Sequence, residues 1–131
     1  MELVFDIETN GLLWESSIKN SETGEVTNLP PASVIWCIVA IDDTNTVHTF
    51  KPESIDEGIE FLQSADSLVG HNILGFDIPA INRIKQIDLS AYTNIIDTLT
   101  LSRLLHPTRE GGHSLEKWGW KLNCPKSTAP I

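Results

Sequence analysis

A chain of 131 residues, 40% hydrophobic and 21% charged, can bury one core of its own but is too short for two ordinary domains. Eighteen acidic residues against nine basic ones leave a net charge of −9, which excludes strong non-specific attraction to nucleic-acid phosphates. No apolar run is long enough to cross a bilayer and the start lacks a secretion signal, so no membrane partner is expected.

The predicted elements begin with a strand through Leu3-Val4-Phe5-Asp6-Ile7-Glu8. Side chains two apart in a strand share a face, so Asp6 and Glu8 project together while Phe5 and Ile7 point the other way. Paired carboxylates repel unless a positive charge lies between them, and a divalent metal is the usual answer; two solvated acids on a strand edge are the bland alternative. Residues 13–31 are polar and turn-rich and read as a long loop or irregular hairpin. Residues 34–41 are almost wholly apolar and β-branched, which predicts a strand buried on both faces. Cys37 lies in that run; with Cys124 showing no metal-type spacing to it, a free thiol in a reducing, cytoplasmic setting is expected. Residues 46–50 alternate like a half-exposed return strand, completing an antiparallel meander.

The period then changes. Ile55, Ile59 and Leu62 fall at helical spacing, with Ser54 and Glu57 matching a capping box. Residues 67–70 read as a short strand, 71–75 as a loop, and 76–87 as a helix with Pro79 in its first turn. Ile95-Ile96 is a further strand, Asp97 caps a helix running to Leu105, and Pro107 stops it. A last helix is expected over 114–118, and the tail 123–131, with Pro125 and Pro130, has no periodicity. Three strands followed by alternating helices and strands predict an α/β fold with a mixed sheet, whose cleft lies where strand ends and loops meet.

Four segments in order carry a specific resemblance. Phe5-Asp6-Ile7-Glu8-Thr9 resembles the first motif of the DEDD superfamily of 3′–5′ exonucleases, and Asn72 with Asp77 resembles the second. The segments 96–106 and 112–119 narrow the likeness to the proofreading exonuclease domain of T7-like phage family A DNA polymerases, over residues 1–122. The resemblance implies a ribonuclease H-like fold and two divalent cations, Mg2+ or Mn2+, hydrolysing the terminal phosphodiester of a single-stranded 3′ end of DNA. It also implies a polymerase domain in cis or in trans, and the host cytoplasm as location if the chain is phage-encoded. Carried over by position, Asp6 bridges the metals, Glu8 binds the metal that activates water, and Asp77 holds the second through water. Thr9 and Leu12 match positions contacting the terminal nucleotide, and Asn72 one near the scissile phosphate.

Plainer readings stand beside these roles. Asp77 equally suits a helix cap, Asp97 with Thr98 a cap, His71 a hydrogen-bonding loop residue, His113 a structural one, and Trp118 and Trp120 packing. The family's third motif, a Tyr or His followed by an Asp, has no match: Glu116 is the last acid, and Tyr92 with Asp97 has the wrong spacing and order. The expectation is therefore the first, C-terminally truncated part of an exonuclease domain, weak or inactive alone. The alternatives are a non-catalytic half of a split exonuclease or docking scaffold, and a ribonuclease of the same superfamily.

Overall fold

The computed structural model of the chain describes residues 1–91 and 93–124. Tyr92 and most of the expected irregular tail, including Pro125 and Pro130, lie outside the described residues. Strands β1 (Glu2–Thr9), β4 (Ile35–Ile41), β5 (Val47–Phe50), β6 (Ser67–Gly70) and β7 (Asn94–Asp97) form one sheet in the order β5-β4-β1-β6-β7. β5, β4 and β1 pair antiparallel, as the meander predicted, while β6 and β7 join parallel to β1. The residues expected as loop or hairpin form a separate ribbon of β2 (Ser16–Lys19) and β3 (Val26–Leu29).

The alternation in β1 does what its period predicts: Leu3, Phe5 and Ile7 are buried while Val4, Asp6 and Glu8 are exposed. The buried face packs under helices α1 (Ile55–Gln63) and α2 (Ile78–Lys85), in one core with Ile38, Ala40, Ile59, Leu62, Leu68 and Ile81. Arg83 on α2 donates to the carbonyls of Leu13 and Ala32, tying the base of the ribbon to the helix. No local pattern announces this tie, because its partners lie 70 and 51 positions away.

Three expectations are corrected. β4 is buried on one face only: Ile38 and Ala40 are fully covered, but Val39 is half-buried and Ile41 exposed, because among the described residues no layer covers the second face. The Ser54–Glu57 capping box does not form. A 3-10 turn over Pro52–Ser54 precedes α1, and the Ser54 hydroxyl instead closes back on the Lys51 backbone at 3.1 and 3.3 Å. The helix expected from Phe76 is α2, entered through a π-helical turn over Ile73–Asp77 and closed by Gln86 in the left-handed region. Asp97 caps α3 (Thr98–Leu105) through the Leu99 amide as expected, and Ser114 caps α4 (Leu115–Lys121), which is longer than the pattern suggested. Among the described residues, no helix is long and apolar enough to cross a membrane.

Gly70 ends β6 where the backbone passes close to β1. A Cβ there would sit 2.9 Å from the Phe5 carbonyl oxygen and 2.3 Å from the Ile73 side chain. Gly70→Ala is expected to destabilise the domain by about 1–3 kcal/mol, read as a lower urea midpoint with unchanged slope.

Candidate active site

Because β1, β6 and β7 run parallel, the segments leaving their C-terminal ends gather on one edge of the sheet. Asp6 lies two residues past Val4, which pairs with Val69, so it is close to level with the loop that leaves β6 at Gly70. That loop carries Asn72 in the left-handed region (φ 58°), a conformation Asn tolerates well, and then the π-helical turn that delivers Asp77.

Asp77 is 5% exposed and does not cap α2. Its carboxylate instead turns to the sheet and accepts a hydrogen bond from the Ile7 amide at 3.2 Å. There the Asp6 carboxyl group lies near enough for its charge to act on Asp77. Burial first, and the Asp6 charge beside it second, push Asp77 up to about 7. Two carboxyl groups this close hold a proton near neutrality when nothing else neutralises them, and a hard divalent cation can take the proton's place.

Glu8 follows on the same face of β1 and lines, with Asp6, Cys37, His71, Thr98 and Leu115, a depression of about 530 Å3 on the uncovered side of the sheet. Burial, and then the neighbouring Glu8, push the Cys37 thiol up, which keeps it protonated and a poor nucleophile. Among the described residues no three His, Cys, Asp or Glu side chains converge as a ready-made cation site. The donors therefore fit a cation in part: Asp6 and Asp77 are assembled, with Glu8 on the same strand face but outside a closed cluster.

The other predicted residues are placed less tightly. The Thr9 hydroxyl is engaged locally, donating to the Gly11 carbonyl at 2.7 Å, and Leu12 is exposed beyond it. The Asn72 side chain lies against Gly75, where an added Cβ would come within 2.3 Å of its oxygen. Asp97 is more than the helix cap its place in the sequence implies. It also accepts from the amides of Asn72 at 2.8 Å and Leu74 at 2.9 Å, while its side chain is 5% exposed. Asp97 thus ties the turn bearing Asn72 and Asp77 to the end of β7. The only sequence signal was a buried-type acid at a strand end; the amides it holds are 25 and 23 positions away. His113 is structural, its Nδ1 2.6 Å from the Ser102 hydroxyl, which in turn accepts from the Trp118 indole at 2.7 Å. Trp118 packs beneath Arg109, and Trp120 stays exposed beside Lys117.

No family model matches the chain. Its relatives include the DNA-directed DNA polymerase of Escherichia phage T7, 25% identical over 146 residues and covering 92% of this chain. The corresponding polymerase of Enterobacteria phage T3 is 28% identical over 101 residues, covering 57% of this chain. The chain resembles the DEDD 3′–5′ exonucleases. In fold that likeness extends to E. coli exonuclease I, solved with a dA16 oligonucleotide, at a TM-score of 0.61, 16% identity and 99% coverage of this chain. The family B DNA polymerase of Pyrobaculum calidifontis matches at a TM-score of 0.60 with 13% identity over 92% of this chain. The sheet is thus the ribonuclease H-like mixed α/β fold that the exonuclease resemblance implied. The chain spans less than a fifth of the phage polymerases it matches, 19% and 14% of their lengths, and 37% of exonuclease I.

Proposed function

We propose that the chain is the metal-dependent 3′–5′ exonuclease region of a phage-type DNA polymerase, acting on the single-stranded 3′ end of DNA. The observation that carries this reading is the Asp6–Asp77 pair, in which the buried Asp77 is turned to the Ile7 amide and pushed up to about 7 by burial and the Asp6 charge. The similarity to the T7 and T3 polymerases supports DNA over RNA as substrate. Asp6, Glu8 and Asp77 are the residues that hold Mg2+ or Mn2+. When bound, two such cations supply Lewis acidity for the attacking water and for the leaving 3′ oxygen. The chain's own part is positional: the Ile7 amide orients Asp77, Asp97 holds its turn, Thr9 and Leu12 meet the terminal nucleotide, and Asn72 lies near the phosphate. Hydrolysis joins water oxygen to phosphorus, breaks the bond from phosphorus to the 3′ oxygen, and releases a 5′-mononucleotide. A polymerase domain, in cis or in trans, supplies most of the DNA affinity that a chain of charge −9 lacks. The compartment is the host cytoplasm.

Residues 1–122 form the exonuclease unit in this reading. Because no three His, Cys, Asp or Glu side chains converge among the described residues, slow trimming is the expectation for the isolated chain. Incubation of end-labelled single-stranded DNA with Mn2+ is expected to give slow 3′ shortening, at least 100-fold reduced in Asp6→Ala as is typical of losing a key electrostatic group. Shortening that survives Asp6→Ala, or calorimetry with no Mn2+ binding, would falsify the proposal. A non-catalytic docking role is the second reading, favoured by the absence of a closed three-carboxylate cluster among the described residues.

A further inference from the structure

One position of β4 departs from the pairing that the rest of the strand keeps. Glu8 of β1 lies opposite Cys37 and Thr9 opposite Ile35, so Trp36 has no partner of its own and forms a β-bulge. Burial reports which way the extra residue points. Ile35 and Ile38 both lie in the core, at 3% and 0% exposure, whereas a regular strand puts residues three apart on opposite faces. Trp36 and Cys37, between them, therefore share the other face, and Cys37 lines the same depression as Asp6 and Glu8. Trp36 is 50% exposed there. The bulge thus re-aims a large indole to stand beside Glu8, at the end of β1 where the candidate site gathers.

The other tryptophans are placed differently. Trp118 packs under Arg109, Trp120 is faced by Lys117, and Trp14 lies at the root of the ribbon, beyond the end of β1. Trp36 is the one set across the strand pair from a site carboxylate.

We propose that Trp36 is a stacking platform for a nucleobase, holding one of the last two bases of a strand whose terminal phosphodiester lies over Asp6 and Glu8. The assignment rests on the exonuclease reading and adds to it a substrate-binding residue outside the acidic set. Three features select a base as the occupant. An indole face accepts every base, so it grips a strand without sequence preference and without a basic side chain, which suits a chain of net charge −9. A polypeptide laid over Trp36 would also cover the exposed Glu8, and burying that carboxylate without a partner is costly. A strand end leaves Glu8 open to its cation. Reach agrees as well: a nucleotide held by its phosphate at Glu8 carries its base one sugar away, and side chains facing each other across a strand pair stand about 5 Å apart.

Binding of a short thymidine oligonucleotide in Ca2+, a hard cation for oxygen ligands, tests the platform. The indole N–H signal of Trp36, assigned by its loss in Trp36→Phe, is expected to shift during the titration. Trp36→Leu, which keeps apolar bulk without a ring, should bind about tenfold more weakly. Trp36→Phe, which keeps a ring, should stay within about threefold of the parent. An oligonucleotide lacking its last two bases should bind the parent about tenfold more weakly, and Trp36→Leu should then cost nothing further, because one stacking contact cannot be lost twice. Unchanged binding by Trp36→Leu, or losses from the two changes that simply add, overturns the proposal. Equal losses in Trp36→Leu and Trp36→Phe would reduce Trp36 to packing and also overturn it. So would the absence of binding at millimolar oligonucleotide. A Trp36 indole N–H already protected from hydrogen exchange without DNA would make polypeptide its cover, with the same consequence. Mn2+ calorimetry runs in parallel. Mn2+ binding together with oligonucleotide binding that ignores Trp36 refutes the platform alone, and Trp36-dependent binding without Mn2+ binding refutes the exonuclease reading alone.

Discussion

Asp77→Asn is expected to be more stable than the parent protein in EDTA at about pH 8, by on the order of 2–4 kcal/mol, or a melting temperature higher by about 10 °C. Folding raises the proton affinity of this carboxyl group from the usual 3.8 to about 7, through burial and the adjacent Asp6. Between those values the folded protein binds the proton more tightly than the unfolded chain. Parent stability therefore falls as pH rises through the window from about 4 to about 7, and the full penalty is present above it. Asparagine keeps an oxygen to accept from the Ile7 amide, offers an NH2 group to Asp6, and carries no charge to bury. The advantage of the variant should shrink towards zero near pH 4. Adding Mn2+ reverses the ranking at about pH 8: a cation bound only by the folded parent stabilises it by mass action, and the variant gains little. Thermal denaturation by circular dichroism across pH, with EDTA or Mn2+, reads all of these. A parent protein whose stability rises from pH 4 to pH 7 in EDTA would show that the two carboxyl groups do not share a site. Stability given up at one spot, and recovered on binding, is the usual signature of a working site rather than of packing.

Asp97→Ala is expected to cost on the order of 3–5 kcal/mol, a large share of what a domain this size has. The loss strands three amides at once, those of Asn72, Leu74 and Leu99, around a position that is 5% exposed. Urea denaturation measures the size. Hydrogen exchange measures the location, and the amides of Asn72 and Leu74 should lose protection even where the rest of the sheet keeps it. Asp97→Asn should fall between parent and alanine, because an amide retains one acceptor oxygen but turns a donor towards one of the three N–H groups. In both variants Mn2+ affinity should fall with the exchange protection, since the same turn carries Asp77. An Asp97→Ala protein with unchanged Mn2+ affinity would confine Asp97 to capping α3.

Much of the architecture was legible because it follows from local periodicity. The two-residue alternation of 3–8 put Phe5 and Ile7 in the core and Asp6 and Glu8 outside it, and the helical spacing of Ile55, Ile59 and Leu62 gave α1 its buried side. The change from strands to alternating helices and strands gave the mixed sheet. Residues 34–41 mark the limit of local periodicity. An apolar run states that a strand can be covered on both faces, and it does not state that the cover is present. The misplaced capping box at Ser54 has a similar cause: Ser at that position can bond forward to the helix or back to Lys51, and Pro52 favours a tight turn that selects the second.

For the candidate site, the sequence by itself determined the residue types and their order: an Asp-x-Glu on a strand, an Asn and an Asp in the next loop, and an Asp at a later strand end. It also determined that Asp6 and Glu8 share a face, because a strand's period is a matter of backbone geometry. Only the tertiary structure decided that Asp77 turns away from its own helix to meet Asp6 across 71 positions of chain, and that Asp97 grips the turn between them. These contacts depend on how β1, β6 and β7 are laid side by side, and parallel pairing joins residues whose separation leaves no local trace. The local code names the groups; the packing of the sheet sets which charges must share a space, and with it the proton or cation that the space will hold.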